Sequence, residues 1–411
     1  MTLYLTEDDV ARLLPMEACI EAVEAVFRQW GEGRADNRPR ARAVVRGAML
    51  HALAAGSEVW GRLAAKVYAT SRGGARFVVL LFDATDSSLL AVIEGDRLGQ
   101  TRTGAASGVA SRRLARKEAR SLAIIGTGWQ ARGQAKAVAI VRRLEEIRAF
   151  GRDRDRLREF CRDTEAACGV KTVPCESAEE AVRGADIVVT ATSSAKPVLE
   201  GAWLRPGTHL NAVGSNRADR RELDEEAVGR AGLIVVDSID QARLEAGDLL
   251  AVGGGAPIER AVELKDVVVG AKPGRRDDHE ITLFKSIGVG LEDLAAASLV
   301  YDRAIAQGIG RPLLSAAGMS ASTVRERIEA ILREKFAPVH LEIHDDSARH
   351  AGHAGAAAGG GHFEVVVVSA AFEGKPLLDR HRMVNDALRE MIGREIHALG
   401  LRTLAPGEPV R

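Results

Sequence analysis

From Ser121 onward, short apolar runs alternate with helical stretches, and this alternation constrains the fold more than any other feature of the sequence. The runs are "SLAIIG", "IRAFG", "VKTVP", "ADIVVTAT", "GTHLNAVG" and "AGLIVVDS". Strands that alternate with helices form parallel sheets with helices on both faces. The pattern therefore predicts an α/β fold, a doubly wound parallel sheet of the Rossmann type, over residues 116–290.

The first predicted strand runs into "GTGWQARGQA", which has the G-x-G-x-x-A spacing of a dinucleotide-binding turn. Gly126 would make the tight turn, Gly128 would let the backbone approach a pyrophosphate, and Ala131 would allow close helix packing. The other predicted cofactor contacts of this turn are Thr127, Trp129 and Gln130. The spacing alone is a weak signal, but its place between a strand and a helix predicts NAD(P) binding.

The second predicted strand ends in "AFGRDRDR", where an acidic residue would hold the ribose hydroxyls of NAD. Gly151 and Arg152 stand there instead, with Arg154 close by. Arginines suit a 2′-phosphate, so this segment favours NADP over NAD. In the alternative interpretation, Asp153 caps the next helix and the arginines are solvated.

The composition is that of a globular chain without net charge. The chain has 411 residues, of which 57 are basic and 57 acidic, and 46% are hydrophobic. Such a balance gives no general attraction to nucleic acid or anionic lipid. No apolar run approaches the roughly 20 residues that span a bilayer, and "MTLYLTEDDV" has acids where a signal peptide is basic. We expect a cytoplasmic protein with no membrane partner.

The four cysteines, Cys19, Cys161, Cys168 and Cys175, form no CxxC pair. In a long cytosolic chain, lone thiols are usually buried packing residues. We therefore assign them no metal and no redox chemistry.

The first part of the chain predicts helices followed by a small sheet. Thr6 and Asp9 can form a capping box in "TEDD", and Pro15 suits the start of a second helix with apolar residues at helical spacing. Short apolar runs with glycine interruptions from Ala43 to Val92 predict antiparallel strands. Residues 1–115 are thus predicted to form an α+β domain ahead of the parallel sheet.

Four stretches in order resemble the ornithine cyclodeaminase and mu-crystallin family, and the likeness covers roughly residues 1–318. They are "RTGAASGVASRRLARKEARSLAIIGTGWQA", "NAVGSNRADRRELDEE", "VVDSIDQARLEAGDL" and "ITLFKSIGVGLEDLAAA". The resemblance implies a homodimer formed through a substrate-binding domain of residues 1–115, completed by 291–318, with the NAD(P) domain between. Members either cyclise ornithine or reduce imines of small 2-oxo acids with NAD(P)H.

The resemblance also implies which residues hold the substrate. Such a substrate carries a carboxylate beside an iminium carbon, so the site needs fixed cations and a proton donor. The family's lysine falls on Lys66 in "AAKVYAT" and its arginine on Arg102 in "GQTRTGAAS", with Arg40 as a third cation. Lys66 is the predicted proton donor. Without the resemblance, each would more often be a surface charge.

One departure from the family pattern separates the two reactions. Cyclodeaminases carry an aspartate in the loop that reads "VGSNRADRREL" here, and this chain has Asn216. An amide cannot take up a proton at neutral pH. We therefore expect Asn216 to contact a substrate that is reduced as an imine or oxidised as an amino acid, with ornithine cyclodeaminase as the alternative. Asp219 could substitute only in a rebuilt loop.

The nicotinamide half of the cofactor is expected at the ends of the later strands. The residues that the resemblance assigns there are Ala191, Thr192, Val213, Gly214, Ser286 and Gly288. Plain packing at strand ends is the alternative role for them.

Around Met319, the segment "AAGMSASTVRERIEA" reads like a second beginning. A helix in "STVRERIEAILREKF", strands in "VHLEIHDDS" and "HFEVVVVSAAF", a helix in "DRHRMVNDALREMIG" and a last strand in "IHALGLRTLAP" predict a small α+β unit over residues 319–411. Seven of the ten histidines follow Met319, beside 12 Lys+Arg and 13 Asp+Glu. A neutral, imidazole-rich unit fits metal chemistry better than phosphate binding.

This unit resembles the BolA family in "DDSARHAGH", "GGGHFEVVVVS", "FEGKPLLDRHRMVNDALRE" and "EIHALGLRTLAPGE". The resemblance implies a KH-like fold and a monothiol glutaredoxin partner, which shares a [2Fe-2S] cluster with glutathione. Imidazole can replace thiolate on such clusters. The ligands carry over onto His397 and onto one of His350, His353 and His362. His344 and His381 are expected to make structural hydrogen bonds.

Three interpretations of the whole chain stay open. The front part is an imine reductase or amino-acid dehydrogenase, or it only binds cofactor while the BolA-like part acts in regulation or cluster assembly, or two adjacent genes are read as one. Nucleic acid is not an expected partner, because phosphate affinity scales with the number of cations and this unit is neutral.

Overall fold

The computed structural model describes residues 2–313, 324–345, 361–393 and 395–408. The chain divides into two compact units, Met1–Leu313 and Leu314–Arg411, called here the front unit and the rear unit. Met319 and its neighbours, and the loop histidines His350 and His353, lie outside the described residues.

The front unit holds two eight-stranded sheets. Its strands are β1 Leu3–Leu5, β2 Ala35–Asn37, β3 Ala41–Val45, β4 Ala48–Ser57, β5 Arg62–Ser71, β6 Gly74–Asp83, β7 Leu89–Glu94, β8 Ser121–Ile125, β9 Glu146–Phe150, β10 Lys171–Pro174, β11 Ile187–Thr190, β12 His209–Ala212, β13 Leu233–Val236, β14 Val262–Glu263, β15 Thr282–Lys285 and β16 Arg311–Pro312.

Twelve helices accompany these strands in the described part of the front unit. They are α1 Glu7–Leu13, α2 Met16–Gly31, α3 Asp96–Leu114, α4 Trp129–Val141, α5 Arg154–Cys168, α6 Ala178–Val182, α7 Glu225–Arg230, α8 Ile239–Glu245, α9 Gly247–Leu250, α10 Ala256–Glu259, α11 Leu264–Val268 and α12 Gly290–Gln307. The capping box between Thr6 and Asp9 is confirmed at the start of α1, and Pro15 precedes α2.

The first sheet has the order β16-β1-β7-β6-β5-β4-β2, with β3 paired to β4. Strands β3 to β7 form an antiparallel meander, as the glycine-punctuated pattern predicts. Alternate residues of β5 point to opposite faces, so Lys66 and Tyr68 share one face of the sheet. Helices α2 and α12 pack on this sheet and on each other around one apolar core.

The second sheet is wholly parallel and has the order β10-β9-β8-β11-β12-β15-β13-β14. The predicted doubly wound sheet is therefore confirmed, and the six predicted runs all form strands. The chain reverses its direction of progress between β8 and β11, and parallel sheets bind ligands outside the carboxyl ends of such strands. Strand β15 was not predicted as a strand. It has only four residues, "TLFK", and these are neither wholly apolar nor alternating.

Helices α3 and α12 connect the two sheets. The close approach of α3 to α4 depends on glycine, since a Cβ on Gly104 would lie 2.6 Å from the carbonyl oxygen of Gly133. The proposed boundary at residues 115/116 falls between α3 and β8, and that at 290/291 falls at the start of α12.

The rear unit is a small α+β fold, as predicted. Its elements are α13 Val324–Phe336, β17 His340–Asp345, β18 Gly361–Val368, α14 Leu377–Ala387 and β19 Ile396–Leu404. Strand β18 lies between β17, which is antiparallel to it, and β19, which is parallel. The two helices cover the sheet with apolar side chains, among them Ile328, Leu332 and Val384. No helix of the described residues is long and apolar enough to cross a membrane.

Candidate active site

A cavity of about 780 Å³ lies in the front unit where the first sheet meets the loops of the second. The first sheet and β3 contribute Arg40, Arg42, Met49, His51, Lys66, Tyr68, Thr70 and Phe77, and α3 contributes Gly99, Arg102 and Thr103. The turn and strand-end loops contribute Gln130, Val213, Gly214, Ser215, Asn216, Arg217, Ser286 and Gly288. The cavity thus joins predicted substrate contacts with predicted cofactor contacts.

Lys66 and Arg102 meet over a pair of acidic residues at the start of α12. Lys66 Nζ donates to Asp293 Oδ1 at 2.9 Å, and Arg102 Nε donates to the same oxygen at 3.0 Å. Arg102 Nη1 also donates to Glu292 Oε2 at 2.6 Å. All four side chains are buried. A carboxylate entering the cavity would find two cations held by a preformed buried frame.

Burial brings two groups of this frame into a useful range of pKa. It lowers the pKa of Lys66 to about 8, although Asp293 opposes the shift. It raises the pKa of the Glu292 carboxyl to about 8, against the neighbouring Arg102 guanidinium. An ammonium with a pKa near 8 can release its proton at neutral pH more readily than a surface lysine. The frame can therefore bind an anion and hold or supply a proton at Lys66 Nζ.

Arg40 lies in the same cavity but is largely engaged with protein groups. Its Nη1 pairs with Glu245, and its Nη2 donates to the carbonyl oxygens of Ile287 and Gly288, both at 3.0 Å. Its Nε is buried and has no hydrogen-bond partner among the described residues. Arg40 therefore spends three of its five N–H groups on protein partners, and the N–H on Nε is one of the two that are left.

The glycine turn has the features that a pyrophosphate requires. Gly126 has φ +112°, and a Cβ there would collide with the Ala191 carbonyl, so only glycine fits. Nothing lies within 4 Å of a Cβ placed on Gly128, and α4 begins at the next residue without a side-chain cap. An uncapped helix start offers backbone N–H groups to an anion.

The neighbours of the turn take different positions. Ala131 is fully buried under the sheet, and Gln130 faces the cavity. Trp129 is exposed by 40%, and the guanidinium of Arg97 lies 5.6 Å from its ring centre. Thr127 contacts Gly151 at the end of β9, since a Cβ on that glycine would lie 2.7 Å from Thr127 Cγ2.

The arginines after β9 have separate environments. Asp153 caps α5 by accepting from the backbone N–H groups of Asp155 and Arg156. Arg154 pairs with Glu176, whereas Arg152 is exposed at the strand end. Arg152 and Arg154 are the two predicted contacts for a 2′-phosphate. Glu176 engages Arg154 and leaves Arg152 as the better candidate.

The two units of the chain match the models of two known protein families. Residues 1–308 match the model of the ornithine cyclodeaminase/mu-crystallin family. The chain belongs to this family. Residues 332–408 match the model for BolA-like proteins, so the predicted fusion of the two families is confirmed.

Several family relatives are similar over most of their length. A Delta(1)-pyrroline-2-carboxylate reductase of Bacillus cereus is 39% identical over 239 residues, 57% of this chain and 73% of the relative. The ketimine reductase mu-crystallin of Mus musculus is 39% identical over 54% of this chain and 68% of its own. The structure of Thermococcus litoralis Delta(1)-pyrroline-2-carboxylate reductase with NADH and L-proline has a TM-score of 0.73 at 34% identity, covering 76% of this chain and all of that one.

The family loop that distinguishes cyclodeaminases lies at the cavity wall. Asn216 faces the cavity, and its backbone carbonyl accepts from Arg42 Nη2 at 3.2 Å. Asp219, three residues on, is exposed and is held by two bonds of 2.8 Å from Arg217. The loop therefore presents an amide at the predicted position, and its nearest carboxylate already has a cation partner.

Sequence reasoning missed a buried charged network behind the strand-end loops. Glu222 accepts from the Thr192 backbone at 2.6 Å and from the Gly214 backbone at 2.7 Å. Lys285 Nζ pairs with Asp248 at 2.8 Å and donates to the Ser215 carbonyl at 2.7 Å. This network therefore holds the segments around Thr192 and Gly214 from behind. The lysine at the end of the short segment "TLFK" was the sequence feature that could have indicated a buried ion pair.

Asp237 fixes the last of the predicted cofactor loops. Its carboxylate follows β13 and accepts from the backbone N–H groups of Ile287 at 2.7 Å and Gly288 at 2.6 Å. Ser286 Oγ lies 3.4 Å from the same oxygen. A Cβ on Gly288 would lie 2.6 Å from Arg102 Nη1, so this loop packs directly against the Arg102 guanidinium.

The histidine positions of the rear unit differ in their surroundings. The rings of His362 on β18 and His397 on β19 stack with centres 5.6 Å apart. His344 Nε2 lies 2.8 Å from Glu342, which is the expected kind of hydrogen bond, but His381 Nε2 is buried without a partner in the described part. Within the described residues no three or more His, Cys, Asp or Glu side chains form a metal-ready cluster. The pair His362–His397 is thus brought together, whereas His350 and His353 lie outside the described residues.

Proposed function

We propose that the front unit reduces the C=N bond of a small 2-imino acid with NAD(P)H, or oxidises the corresponding amino acid in reverse. The observation that carries this proposal is the buried frame of Lys66, Arg102 and Asp293 at one wall of the cavity. The family relatives include reductases of pyrroline-2-carboxylate and of ketimines, which act on such bonds.

The cofactor would lie across the glycine turn and the strand-end loops. Gly126 and Gly128 leave room for its pyrophosphate, and the uncapped start of α4 faces the anion. The Glu222 network holds the loops at Thr192 and Gly214 that the resemblance assigns to the nicotinamide. When bound, this cofactor supplies the hydride that reduces the imine carbon.

The chain's own residues bind and orient the substrate. Lys66 and Arg102 hold the carboxylate next to the imine carbon, and Asp293 keeps both cations in place. With its pKa lowered to about 8 by burial, Lys66 can keep the imine nitrogen protonated. Protonation makes the adjacent carbon a better hydride acceptor.

The loop at Asn216 favours reduction over ornithine cyclisation. An amide there offers no base for a substrate amine. To test both reactions, we would follow 340 nm absorbance of NADH and NADPH with pyrroline-2-carboxylate, piperideine-2-carboxylate and pyruvate plus ammonia or methylamine, and ammonia release from ornithine. Consumption of NAD(P)H with an imine and no release from ornithine is expected. Release from ornithine without reductase activity would overturn the assignment.

Arg152 supports NADP as the preferred cofactor. Its exposed guanidinium stands at the end of β9, next to the predicted ribose site. A charge-assisted contact with a phosphate contributes about 1.5–3 kcal/mol. We expect Arg152→Ala to raise KM for NADPH by about tenfold and KM for NADH by less than about twofold. Arg158→Ala, an exposed arginine of α5, is the matched control, and equal effects on both cofactors would contradict the proposal.

The first sheet supports a homodimer through the N-terminal domain. Strand β3 pairs with β4 on one side, and its Val44 and Val45 are exposed by 67% and 68%. Exposed apolar residues on an edge strand favour pairing with another chain. Light scattering should give a dimer mass that Val44→Asp with Val45→Asp lowers toward the monomer. A monomeric wild type would contradict this.

The rear unit supports a second, binding function. We propose that it binds a monothiol glutaredoxin in the cytoplasm and shares a [2Fe-2S] cluster with glutathione, with His397 and His362 as its imidazole donors. The two rings already stack, and all four cysteines of the chain precede residue 176, so this unit offers imidazole but no thiolate.

The cluster proposal is tested by mixing the full chain with glutaredoxin, iron, sulfide and glutathione. We expect a visible absorbance and circular dichroism spectrum that differs from glutaredoxin alone. His397→Ala should abolish the difference and His362→Ala should reduce it, whereas His340→Ala, at an exposed position of β17, is the control. An unchanged spectrum in His397→Ala would refute the ligand assignment.

A further inference from the structure

One row of side chains crosses the cavity wall in register. Arg42 on β3 pairs with His51 on β4, His51 with Tyr68 on β5, and Tyr68 with Phe77 on β6. The rings of His51 and Tyr68 stack with centres 4.2 Å apart, and those of Tyr68 and Phe77 are 4.9 Å apart. All four residues line the cavity.

This row lies two residues along β5 from Lys66, one of the two cations proposed to bind the substrate carboxylate. Tyr68 follows Lys66 by two residues on the same face of β5, a separation of about 7 Å along the strand. His51 lies opposite Tyr68 on β4, so a ligand whose carboxylate rests on Lys66 can reach His51 with its other end.

The far end of the cavity has more cationic than anionic side chains. Arg40 and Arg42 both pair with the single carboxylate of Glu245, Arg42 at 2.7 Å, and the side chains of Arg40 and Glu245 are exposed by 2% and 1%. Two guanidinium groups and one carboxylate leave one positive charge uncompensated. Arg42 carries this excess charge at the cavity wall, where its side chain is 25% exposed, and an anion bound there would compensate it.

Two buried nitrogen atoms at this end also have no hydrogen-bond partner among the described residues. They are Arg40 Nε and His51 Nδ1, on residues that are exposed by 6% and 7%. Burial, with the nearby Arg42, lowers the pKa of His51 to about 4, so its imidazole is neutral and carries one N–H. His51 Nε2 lies 3.1 Å from Thr70 Oγ1, which can donate to it and leave the N–H on Nδ1.

We propose that the substrate is a 2-imino dicarboxylate of four or five carbons, whose second carboxylate is bound by Arg42, His51 and the free Nε of Arg40. The first carboxylate rests on Lys66 and Arg102, so this inference depends on the proposed function. Guanidinium and imidazole N–H groups are the usual partners of a buried carboxylate. A substrate with one carboxylate would leave these donors unpaired, which a polar site discriminates against strongly.

The test compares kcat/KM for imines of two classes. Oxaloacetate or 2-oxoglutarate with ammonia supplies the dicarboxylic imines, and pyruvate with ammonia and pyrroline-2-carboxylate supply the others; each 2-oxo acid without ammonia corrects for ketone reduction. We expect the dicarboxylic class to be favoured at least ~10-fold. Arg42→Met and His51→Phe should each lower that preference by about tenfold. Arg72→Met, at the exposed turn between β5 and β6, is the matched control.

The outcomes separate this inference from the proposed function. Equal or better reduction of monocarboxylic imines, or a preference that Arg42→Met and its milder companion Arg42→Lys both leave intact, overturns the second carboxylate while the reductase stands. If no imine is reduced, the proposed function fails, and binding decides the inference. Calorimetric affinity for L-aspartate at least ~10-fold above that for L-alanine supports it, and equal affinities overturn it.

Discussion

The two units of this chain treat polar side chains in opposite ways. The front unit buries many charged residues, among them Lys66, Arg102 and Lys285, in pairs and networks. Among the described residues of the rear unit, the buried polar ones are Ser369 and Thr403. Its histidine pair lies on a small sheet around an otherwise apolar core.

This difference indicates where each unit does its chemistry. Buried charges cost desolvation energy, so a fold keeps them where a preorganised electrostatic site is needed. The front unit encloses such a site within one chain. In the rear unit His397 is exposed, so the proposed cluster needs further ligands and shielding from a partner.

Loss of the buried ammonium should affect catalysis most. We expect Lys66→Met to lower kcat/KM for imine reduction by about 10²–10⁴-fold, because both the carboxylate contact and the proton at Nζ are removed. Lys66→Arg should recover part of KM but little of kcat. Steady-state kinetics with the exposed Lys117→Met as control gives the comparison. A loss below about tenfold would place the proton donor elsewhere.

Loss of the other buried lysine should affect stability. In Lys285→Met, Asp248 keeps its backbone donors but loses its cation, and breaking a fully buried pair costs about 3–5 kcal/mol. Calorimetry of the full chain should show the transition of the front unit at lower temperature, recognised by its larger enthalpy because that unit has more residues. A change of less than about 1 kcal/mol would mean that the pair is solvated.

The dependence of kcat/KM on pH should reflect the ionisation of Lys66 and Glu292. Burial lowers the pKa of Lys66 to about 8, so raising the pH above this value removes the cation that holds the substrate carboxylate. Glu292, with its pKa raised to about 8, gains a negative charge in the same range, which acts in the same direction. We expect kcat/KM to fall about tenfold per pH unit above pH 8 where Lys66 alone controls it, and more steeply where both groups do.

Two variants assign this alkaline limb. Lys66→Arg should move it to higher pH because a guanidinium does not deprotonate there. Glu292→Gln should leave it in place if Lys66 is responsible. A limb that stays near pH 8 in Lys66→Arg and disappears in Glu292→Gln would assign it to Glu292 instead.

The smallest effect is expected from a surface pair of the rear unit. Arg333 binds Glu329 at 2.8 Å one helical turn away, with both side chains exposed by more than a third. Exposed pairs of this kind contribute about 0.3–0.5 kcal/mol. Arg333→Met should therefore move the transition of the rear unit by about 1–4 °C. A shift as large as that from Lys285→Met would break the contrast between the units.

Much of the fold was predictable because its signals are local. Apolar runs at strand length located β8 to β13, and the capping residues Thr6 and Asp9 located α1. The glycine turn was predictable for the same reason, since Gly126 needs a positive φ whatever surrounds it. Strand β15 was missed because a short buried strand that contains Lys285 has neither alternation nor a wholly apolar character.

The sequence by itself determined the alternation of strands and helices from β8 to β13, the two family halves and the glycine turn, because periodicity and backbone preference act between near neighbours. Only the tertiary structure decided that Lys66 meets Asp293, 227 residues further along, and that Arg40 is engaged by Glu245. It also decided that His51 stacks on Tyr68. Charges and rings carry no local record of their partners, since the partner of a buried polar group depends on which distant elements pack around it.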